Sequence, residues 1–393
     1  MFNLSFFKDF SPAAFITGFV AVLVSYASSI AIILQAMTAI GVEPSQIGAW
    51  LSMLGFGMGI TTIALSLYYR TPILTAWSTP GIALLATNVS GISVNEAIGV
   101  FIFASALMLI CGITGLFARL MNYIPHSIAA AMLAGILLRF CLDAFVVLPI
   151  NFWLCGAMLF VYLIARRYFP LYAVISTLMV GLIVCIISGD LNLAGESIAF
   201  SMPELVMPQF NATALISIGI PFFIVTMVSQ NAPGTATLQA AGYPPRASKL
   251  LTWTSLTAII LAPLGGFSIC ISAITAAICM GSDVHPDKQK RYVAAVSAGF
   301  CYLLAGVLGG AIFYLFSAFP STLIKSLAGL ALIGTFANSL NLAIKDERTR
   351  DAAIICFLTT ASGANLLGVS SVFWGLVVGI VAHSLLKKRT KIK

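Results

Sequence analysis

The residues of this chain that could do chemistry are hydroxyl and amide side chains placed inside long apolar runs. Ser78 and Thr79 stand directly before Pro80-Gly81, within an apolar stretch from residue 71 to 87. Because serine or threonine followed by proline at the first helical position marks a helix start, we predict an extended segment to about Trp77 and a half-helix from Pro80 onward. Such a break leaves backbone N–H groups unpaired and partial positive charge exposed, which favours an anion. The stretch therefore predicts an anion-binding site.

A second stretch of this kind follows at an offset of 195 residues. There, Trp77-Ser78-Thr79-Pro80 falls on Ser272-Ala273-Ile274-Thr275, in an apolar run that also holds Pro263 and two glycines. If the two segments enter the membrane from opposite sides, as in an inverted repeat, the starts of their half-helices would point toward a common position. Capping of a bent helix is the alternative role for these hydroxyls, and it is compatible with ligand binding.

Polar residues in two further apolar runs are expected to complete the pocket. The adjacent carboxamides Gln230 and Asn231 precede Pro233-Gly234, and Ser25 with Tyr26 occupies the matching run near the N-terminus. A carboxamide inside a bilayer costs free energy unless it finds a partner, so hydrogen bonding between helices is the alternative role. Trp77 is expected as an aromatic wall, with simple packing as its alternative. The predicted substrate-binding residues are Ser25, Tyr26, Trp77, Ser78, Thr79, Gln230, Asn231, Ser272 and Thr275.

The acidic residues have ordinary structural explanations. Glu96 completes a capping box with Ser93 at a predicted helix start, and Asp143 lies one helical turn from Arg139, a spacing that predicts an ion pair. No carboxylate falls at a predicted membrane midplane, which departs from the usual pattern of a proton relay. Glu96 and Asp143 remain as the candidates for proton coupling.

Other chemistry has no basis in the sequence. The eight cysteines lie in or beside apolar runs without metal-ligand spacing, and are expected to be buried thiols. No nucleotide-binding loop, serine hydrolase motif or metallopeptidase motif is present. The sequence therefore predicts a protein that is not an enzyme and that has no cofactor or metal site.

The composition identifies the elements that must position these residues. The chain has 393 residues, of which 60% are hydrophobic and 8% charged, against about 25% charged in soluble domains. It is predicted to be an all-α polytopic membrane protein. Apolar runs of about 17 to 25 residues predict fourteen spans, of which spans 3 and 10 are broken. These spans are 13–37, 46–69, 72–90, 95–121, 125–142, 151–166, 171–189, 212–236 (interrupted), 248–263, 265–281, 291–317, 320–341, 351–365 and 370–387.

The charge distribution fits this arrangement. With a cytoplasmic N-terminus, Arg139 and Lys325 alone among the 20 Lys and Arg residues fall on the outer side. The positive-inside rule thus favours an even number of spans with both termini in the cytoplasm. This distribution of Lys and Arg also explains the net charge of +8, so the sequence gives no reason to expect nucleic-acid binding.

An internal repeat divides the chain into two halves. Residues 24–36 match 228–240, 115–125 match 310–320, and 133–135 match 327–329, in the same order at similar offsets. The predicted halves are 12–189 and 211–387, joined by an outside connector at 190–210. Because seven spans per half is an odd number, the second half enters the membrane from the opposite side, as in secondary transporters built from inverted repeats.

Several of these segments resemble a known family. They are Ser-Tyr-Ala-Ser-Ser at 25–29, Thr-Ala-Trp-Ser-Thr-Pro-Gly at 75–81, Asn-Glu-Ala-Ile-Gly-Val-Phe at 95–101, Ile-Pro-His-Ser-Ile-Ala-Ala-Ala-Met-Leu-Ala-Gly at 124–135, Ser-Gln-Asn-Ala-Pro-Gly at 229–234 and Ala-Ile-Thr-Ala-Ala-Ile-Cys at 273–279. Over nearly its whole length the chain resembles the BenE family of benzoate/proton symporters. The resemblance implies import of benzoate or a related small aromatic carboxylate with a proton, across a bacterial inner (cytoplasmic) membrane.

The same resemblance implies a fold like that of the uracil permease. Spans 1–4 and 8–11 would form a core domain and spans 5–7 and 12–14 a gate domain, and a homodimer is one assembly it leaves open. Nucleobase carriers of this fold use acidic residues in spans 8 and 10, where this chain has Gln230-Asn231 and Ser272-Ala273. A nucleobase or inorganic-anion permease of the same fold, or an anion channel, stays as the alternative function.

Overall fold

The computed structural model describes residues 9–88, 91–116, 125–191, 202–244, 246–281, 284–364, 366–367 and 369–386. Within them the chain is mainly helical, with two short strands. The elements are α1 Pro12–Ile40, α2 Pro44–Tyr69, β1 Thr75–Trp77, α3 Thr79–Asn88, α4 Val94–Thr114, α5 His126–Val146, α6 Phe152–Tyr168, α7 Ala173–Ser188, α8 Ala212–Ala240, α9 Ala247–Leu261, β2 Ile269–Ile271, α10 Ile274–Cys279, α11 Tyr292–Val307, α12 Gly309–Ser317, α13 Ser321–Ile344, α14 Arg350–Ala361 and α15 Ser371–Leu386. Much of the predicted connector (192–201) and the basic tail (387–393) lie outside the described residues.

Helix starts follow the local sequence signals. The Ser11 side chain accepts a hydrogen bond from the Ala14 N–H and Pro12 takes the first helical position of α1. At the start of α4, Ser93 and Glu96 form the predicted capping box, in which each side chain bonds the other's backbone N–H. These caps satisfy donors that would otherwise be left unpaired at the helix end.

Helix α8 runs through the interruption that its prolines predict. It continues from Ala212 to Ala240, with π-helical turns at Leu215–Gly219 and Met227–Asn231. Each π turn ends two residues before a proline, Pro221 or Pro233. Proline has no N–H to donate, and its ring would clash with the preceding turn of an α-helix. A π turn, in which each N–H bonds the carbonyl five residues earlier, widens the helix and makes room for the ring, so the helix bulges without breaking. The prediction of an interrupted helix at 212–236 is therefore wrong.

The predicted span 291–317 is bent where the sequence predicts a continuous rod. Helices α11 and α12 meet at Leu308 with an angle of 67°. Leu308 leaves helical conformation at φ −90° and ψ 10°, and two glycines, Gly309 and Gly310, follow it. Glycine pairs are among the usual causes of a sharp kink.

Eight described helices are long and apolar enough to cross a bilayer, and the bent pair α11–α12 would make a ninth. Several remaining helices are shorter, including α3, α6, α10, α14 and α15. Large apolar side chains cover the outer surface, with Trp153 and Ile187 each 81% exposed. A surface of this kind is suited to lipid contact.

The helices pack in two groups. In one, α11 packs on α1 and α2, α9 on α4, and α3 on α1; in the other, α5 packs on α13 and α14, α6 on α7, and α14 on α15. The α2–α11 contact depends on glycine, because a Cβ at Gly55 would lie 2.6 Å from the Gly306 Cα and one at Gly59 2.9 Å from the Gly299 carbonyl oxygen. Small residues at four-residue spacing let helix backbones approach this closely.

Candidate functional site

The two segments in which the sequence predicts breaks each contain a short strand, and these strands pair antiparallel. β1 pairs with β2 in the register Thr75 to Ile271, Ala76 to Cys270 and Trp77 to Ile269. The Ser272 N–H extends the pairing by donating to the Leu74 carbonyl oxygen at 2.9 Å. Each strand is followed by a helix, α3 after β1 and α10 after β2. We call this meeting of the two strand-and-helix segments the strand crossing.

A serine side chain fastens the crossing from the second segment to the first. The Ser78 N–H donates to the Ser268 Oγ at 3.0 Å, and Ser268 has a φ of 62°, in the left-handed region. A serine in this conformation carries backbone strain of about 1–2 kcal/mol, which its hydrogen bond offsets. Sequence reasoning missed Ser268, because its partner lies 190 residues away.

The start of α3 is capped by its own side chains. The Ser78 Oγ accepts from the Gly81 N–H at 3.2 Å, so one of the amides expected to be bare is already satisfied. Thr79 is bonded to α1 instead, its Oγ1 lying 2.8 Å from the Ser29 Oγ. Ser78 is thus a capping residue, while Thr79 joins α3 to the helix that carries Ser25 and Tyr26.

The start of α10 is arranged differently. This helix has six residues and no side-chain cap at its first turn. The hydroxyls of Ser272 and Thr275 hydrogen-bond each other, and both residues are at most 5% exposed. A helix of six residues has a small summed dipole, so an anion at this helix start would be attracted mostly by polar side chains.

Asn231 holds the second strand in place. Its Oδ1 accepts from the Ile271 N–H at 3.0 Å, while its Nδ2 lies 3.6 Å from the sulfurs of Met108 and Met227. The side chain is 1% exposed, at the end of the second π turn. Neighbouring Gln230 is half-buried. The alternative role considered for the two carboxamides, hydrogen bonding within the protein, applies to Asn231.

Aromatic rings stand beside the crossing. Tyr26 packs edge-on against Trp77 with ring centroids 4.9 Å apart, and Tyr302 of α11 lies 6.2 Å from Tyr26. The buried hydroxyl oxygens of Tyr26 and Ser229 have no hydrogen-bond partner among the described residues, and the Tyr302 hydroxyl lies within hydrogen-bonding reach of the Ser25 and Thr275 side chains. Tyr302 escaped sequence reasoning, although a tyrosine near the middle of an apolar run is itself a signal.

The site is closed. Ser25 is 6% exposed, Trp77 2% and Ser78 0%. A ligand could reach these residues only if surrounding elements moved.

Glu96 and Asp143 do not belong to the crossing. The Glu96 carboxylate accepts hydrogen bonds from Ser93 and from the Asn211 side chain at the N-terminal end of α4. Asp143 is half-exposed on α5. The predicted Arg139–Asp143 ion pair is not formed: among the described residues, the ion pairs are Lys290–Asp9 and Arg350–Glu347. The same residues contain no group of three or more side chains suited to a metal.

Comparison with known proteins identifies relatives over almost the full chain. The sequence pattern of the family described as "BenE: Benzoate membrane transport protein" matches residues 8–385. The chain is 50% identical over 375 residues to the "Inner membrane protein YdcO" of Escherichia coli K12, covering 95% of this chain and 96% of that protein. It is 38% identical over 381 residues to the "Benzoate membrane transport protein" of Acinetobacter baylyi, covering 97% of both.

Solved structures show the same fold at low sequence identity. The transmembrane domain of the cyanobacterial bicarbonate transporter BicA matches with a TM-score of 0.60 at 12% identity, covering 95% of this chain and 97% of that one. SLC26A9 matches with a TM-score of 0.61 at 12% identity, covering 94% of this chain, which spans 65% of the SLC26A9 chain. The family match over residues 8–385 and the two relatives show that the protein is a membrane transport protein and not an enzyme, and that the chain belongs to the BenE family.

Proposed function

We propose that the protein is a secondary active transporter that imports benzoate, or a related small aromatic carboxylate, together with a proton. The observation that carries the proposal is the buried, unpartnered hydroxyl of Tyr26 beside the Trp77 ring, with the hydroxyls of Tyr302, Ser25 and Thr275 near it. An unpaired buried hydroxyl costs about 1–3 kcal/mol, and a carboxylate that accepts from it removes that cost. Hydrogen bonds to an ionised acceptor are also about twice as strong as neutral ones.

The substrate would lie with its carboxylate among hydroxyls and its ring against aromatic faces. Tyr26, Tyr302 and Ser25 would act as donors from α1 and α11, while Trp77 would contact the aromatic ring. The remaining contacts would come from Thr79, Gln230, Ser272 and Thr275. Ser78 and Asn231 would act indirectly, by holding α3 and β2 in place. The name of the Acinetobacter relative supports benzoate as the substrate.

Alternating access would take place between the two groups of helices. The group of α1–α4 with α8–α12 would be the core domain, and that of α5–α7 with α13–α15 the gate domain; the packing within each group supports this division. Counting β1–α3, β2–α10 and α11–α12 as one span each gives fourteen spans, with halves at 12–189 and 211–387. Both termini would be cytoplasmic, and the name of the Escherichia coli relative supports an inner membrane.

The test is removal of single hydroxyls. Tyr302→Phe and Tyr26→Phe should each raise the KM for uptake of radiolabelled benzoate into proteoliposomes by about 10- to 150-fold, the equivalent of about 1.5–3 kcal/mol for a lost bond to a charged group. The thermal stability of Tyr26→Phe should stay at or slightly above wild type, because its hydroxyl has no partner among the described residues, whereas Tyr302→Phe loses contacts with Ser25 and Thr275 and should be slightly less stable. An unchanged KM in both variants contradicts the proposed site.

Uptake measurements in the same proteoliposomes test proton coupling and distinguish the proposed symporter from the alternative functions. A proton symporter accumulates benzoate only with an inward proton gradient, and a protonophore should abolish accumulation. A channel would pass current without saturation. The fold shared with BicA favours an inorganic-anion permease as the second candidate, and inhibition of uptake by bicarbonate but not by other aromatic acids would select it. Competition by uracil or xanthine would indicate a nucleobase carrier.

A further inference from the structure

A cavity of about 260 Å³ lies between the two groups of helices. It is separate from the strand crossing. Its walls come from α5, the end of α14, the start of α15, and Thr87 near the end of α3. Drug-sized ligands occupy pockets of about 300–1,000 Å³, so this volume suits a smaller molecule. The lining residues are Thr87, Gly135, Ile136, Leu138, Arg139, Leu142, Thr360, Ala361, Ser362, Gly363, Ser371 and Val372.

The charge of this cavity is positive. Arg139 is exposed, and neither ion pair of the described residues includes it. Arg139 is also one of two basic residues that the topology places on the outer side. The carbonyl end of α3 near Thr87 contributes at most about half a negative charge, which the full charge of the guanidinium outweighs.

The start of α15 adds hydrogen-bonding capacity to the cavity. Thr360 is 4% exposed and also lines the cavity, but its hydroxyl oxygen is buried beside the Cys356 thiol. The Ser371 hydroxyl already donates to the Thr360 carbonyl oxygen at 3.1 Å, so the donors offered here are the backbone N–H groups at the start of α15, where Ser371 and Val372 line the cavity. A guanidinium and a helix start around an apolar floor match a small organic anion.

We infer that this cavity is an outer capture site, which holds the carboxylate of the transported acid before it reaches the strand crossing. This inference rests on the proposed function. Thr87 and Thr79 are near opposite ends of α3, about 12 Å apart at 1.5 Å per residue, so a single half-helix separates the two sites. Because Thr87 belongs to the core group and the other walls to the gate group, movement of one group against the other changes the shape of the cavity.

Uptake kinetics test the role of Arg139. Arg139→Gln should raise the KM for external benzoate about tenfold with Vmax retained, since the strand crossing is untouched. Arg139→Lys should stay near wild type. Lys325→Gln is the matched control, because Lys325 is the other outer basic residue and does not line the cavity. Added salt should raise the wild-type KM and leave that of Arg139→Gln unchanged. A KM for Arg139→Gln within twofold of wild type overturns the inference and leaves the proposed function standing.

A labelling experiment tests the cavity without any substrate. Ser362→Cys places a thiol at its exposed rim, while the native cysteines are buried or, for Cys301, half-buried. An anionic thiol reagent added outside should react several-fold faster than a cationic reagent of similar size, and Arg139→Gln should abolish the difference. If the difference is present but wild type neither binds nor imports benzoate, the proposed substrate is wrong and the anion site stands. Equal rates for the two reagents overturn the anion site.

Discussion

The two broken segments share a plan and differ in how they are held. β1 is held by several hydroxyls of α2: Thr75 Oγ1 lies 2.6 Å from that of Thr61 and 2.8 Å from that of Thr62, and donates to the Met58 carbonyl oxygen at 3.0 Å. β2 is held by one side chain of α8, Asn231. The following helix has ten residues and a serine cap in the first segment, against six residues and no side-chain cap in the second. Among the described residues, the first segment is therefore tied to the surrounding helices by several hydrogen-bonding side chains, whereas the second, apart from its contacts with the first, is tied to them by one.

Replacement of Asn231 should give the largest effect. Asn231→Leu leaves the buried Ile271 N–H unpaired, at a cost of about 1–3 kcal/mol, and releases β2 from α8. We expect benzoate uptake to be lost and the thermal midpoint of the purified protein to fall. Gln230→Leu is the matched control for stability, because the half-buried neighbour should keep the wild-type midpoint. A wild-type midpoint for Asn231→Leu would show that the second segment has further support.

Substitutions at Ser268 separate the free energy of its hydrogen bond to the Ser78 N–H from the strain of its left-handed backbone. Ser268→Ala loses the acceptor for the Ser78 N–H and keeps the left-handed backbone, whereas Ser268→Gly loses the acceptor and relieves the strain. We expect both variants to be destabilised, with glycine less affected by about 1–2 kcal/mol. Thermal unfolding in detergent measures the difference. Equal midpoints for the two variants would mean that the backbone at position 268 is not strained.

Thr75→Val should give the smallest effect. The Thr61 hydroxyl still donates to the Gly57 carbonyl oxygen, and the Thr62 hydroxyl still accepts from the backbone N–H of residue 75. We expect a loss of about 1 kcal/mol or less, with benzoate uptake retained. An effect on stability as large as that of Asn231→Leu would contradict the proposed redundancy of the first segment.

Local signals predicted the parts of the fold that local chemistry determines. The Ser-Thr-Pro-Gly cluster at 78–81 located the change from extended to helical backbone, since capping and proline geometry act within a few residues. The internal repeat then indicated the second segment and its partnership with the first.

Contacts between distant residues could not be predicted in the same way. The prolines of α8 favour an interruption locally, yet packing on both sides keeps the helix continuous by means of π turns. Asn231 and Gln230 both carry a carboxamide side chain. Asn231 supports β2 only because the fold places the Ile271 N–H within reach of its Oδ1. Tyr302 joins the site because α11 packs on α1, which brings residues of the two halves together.

The glycine contact between α2 and α11 has a consequence for biogenesis. Gly55 and Gly59 belong to the first half of the sequence, whereas Gly299 and Gly306 belong to the second. During synthesis the glycine face of α2 stays uncovered until α11 has been inserted, so the two halves cannot mature as separate units. Two polypeptides divided within residues 192–201 should accumulate in the membrane only when they are produced together.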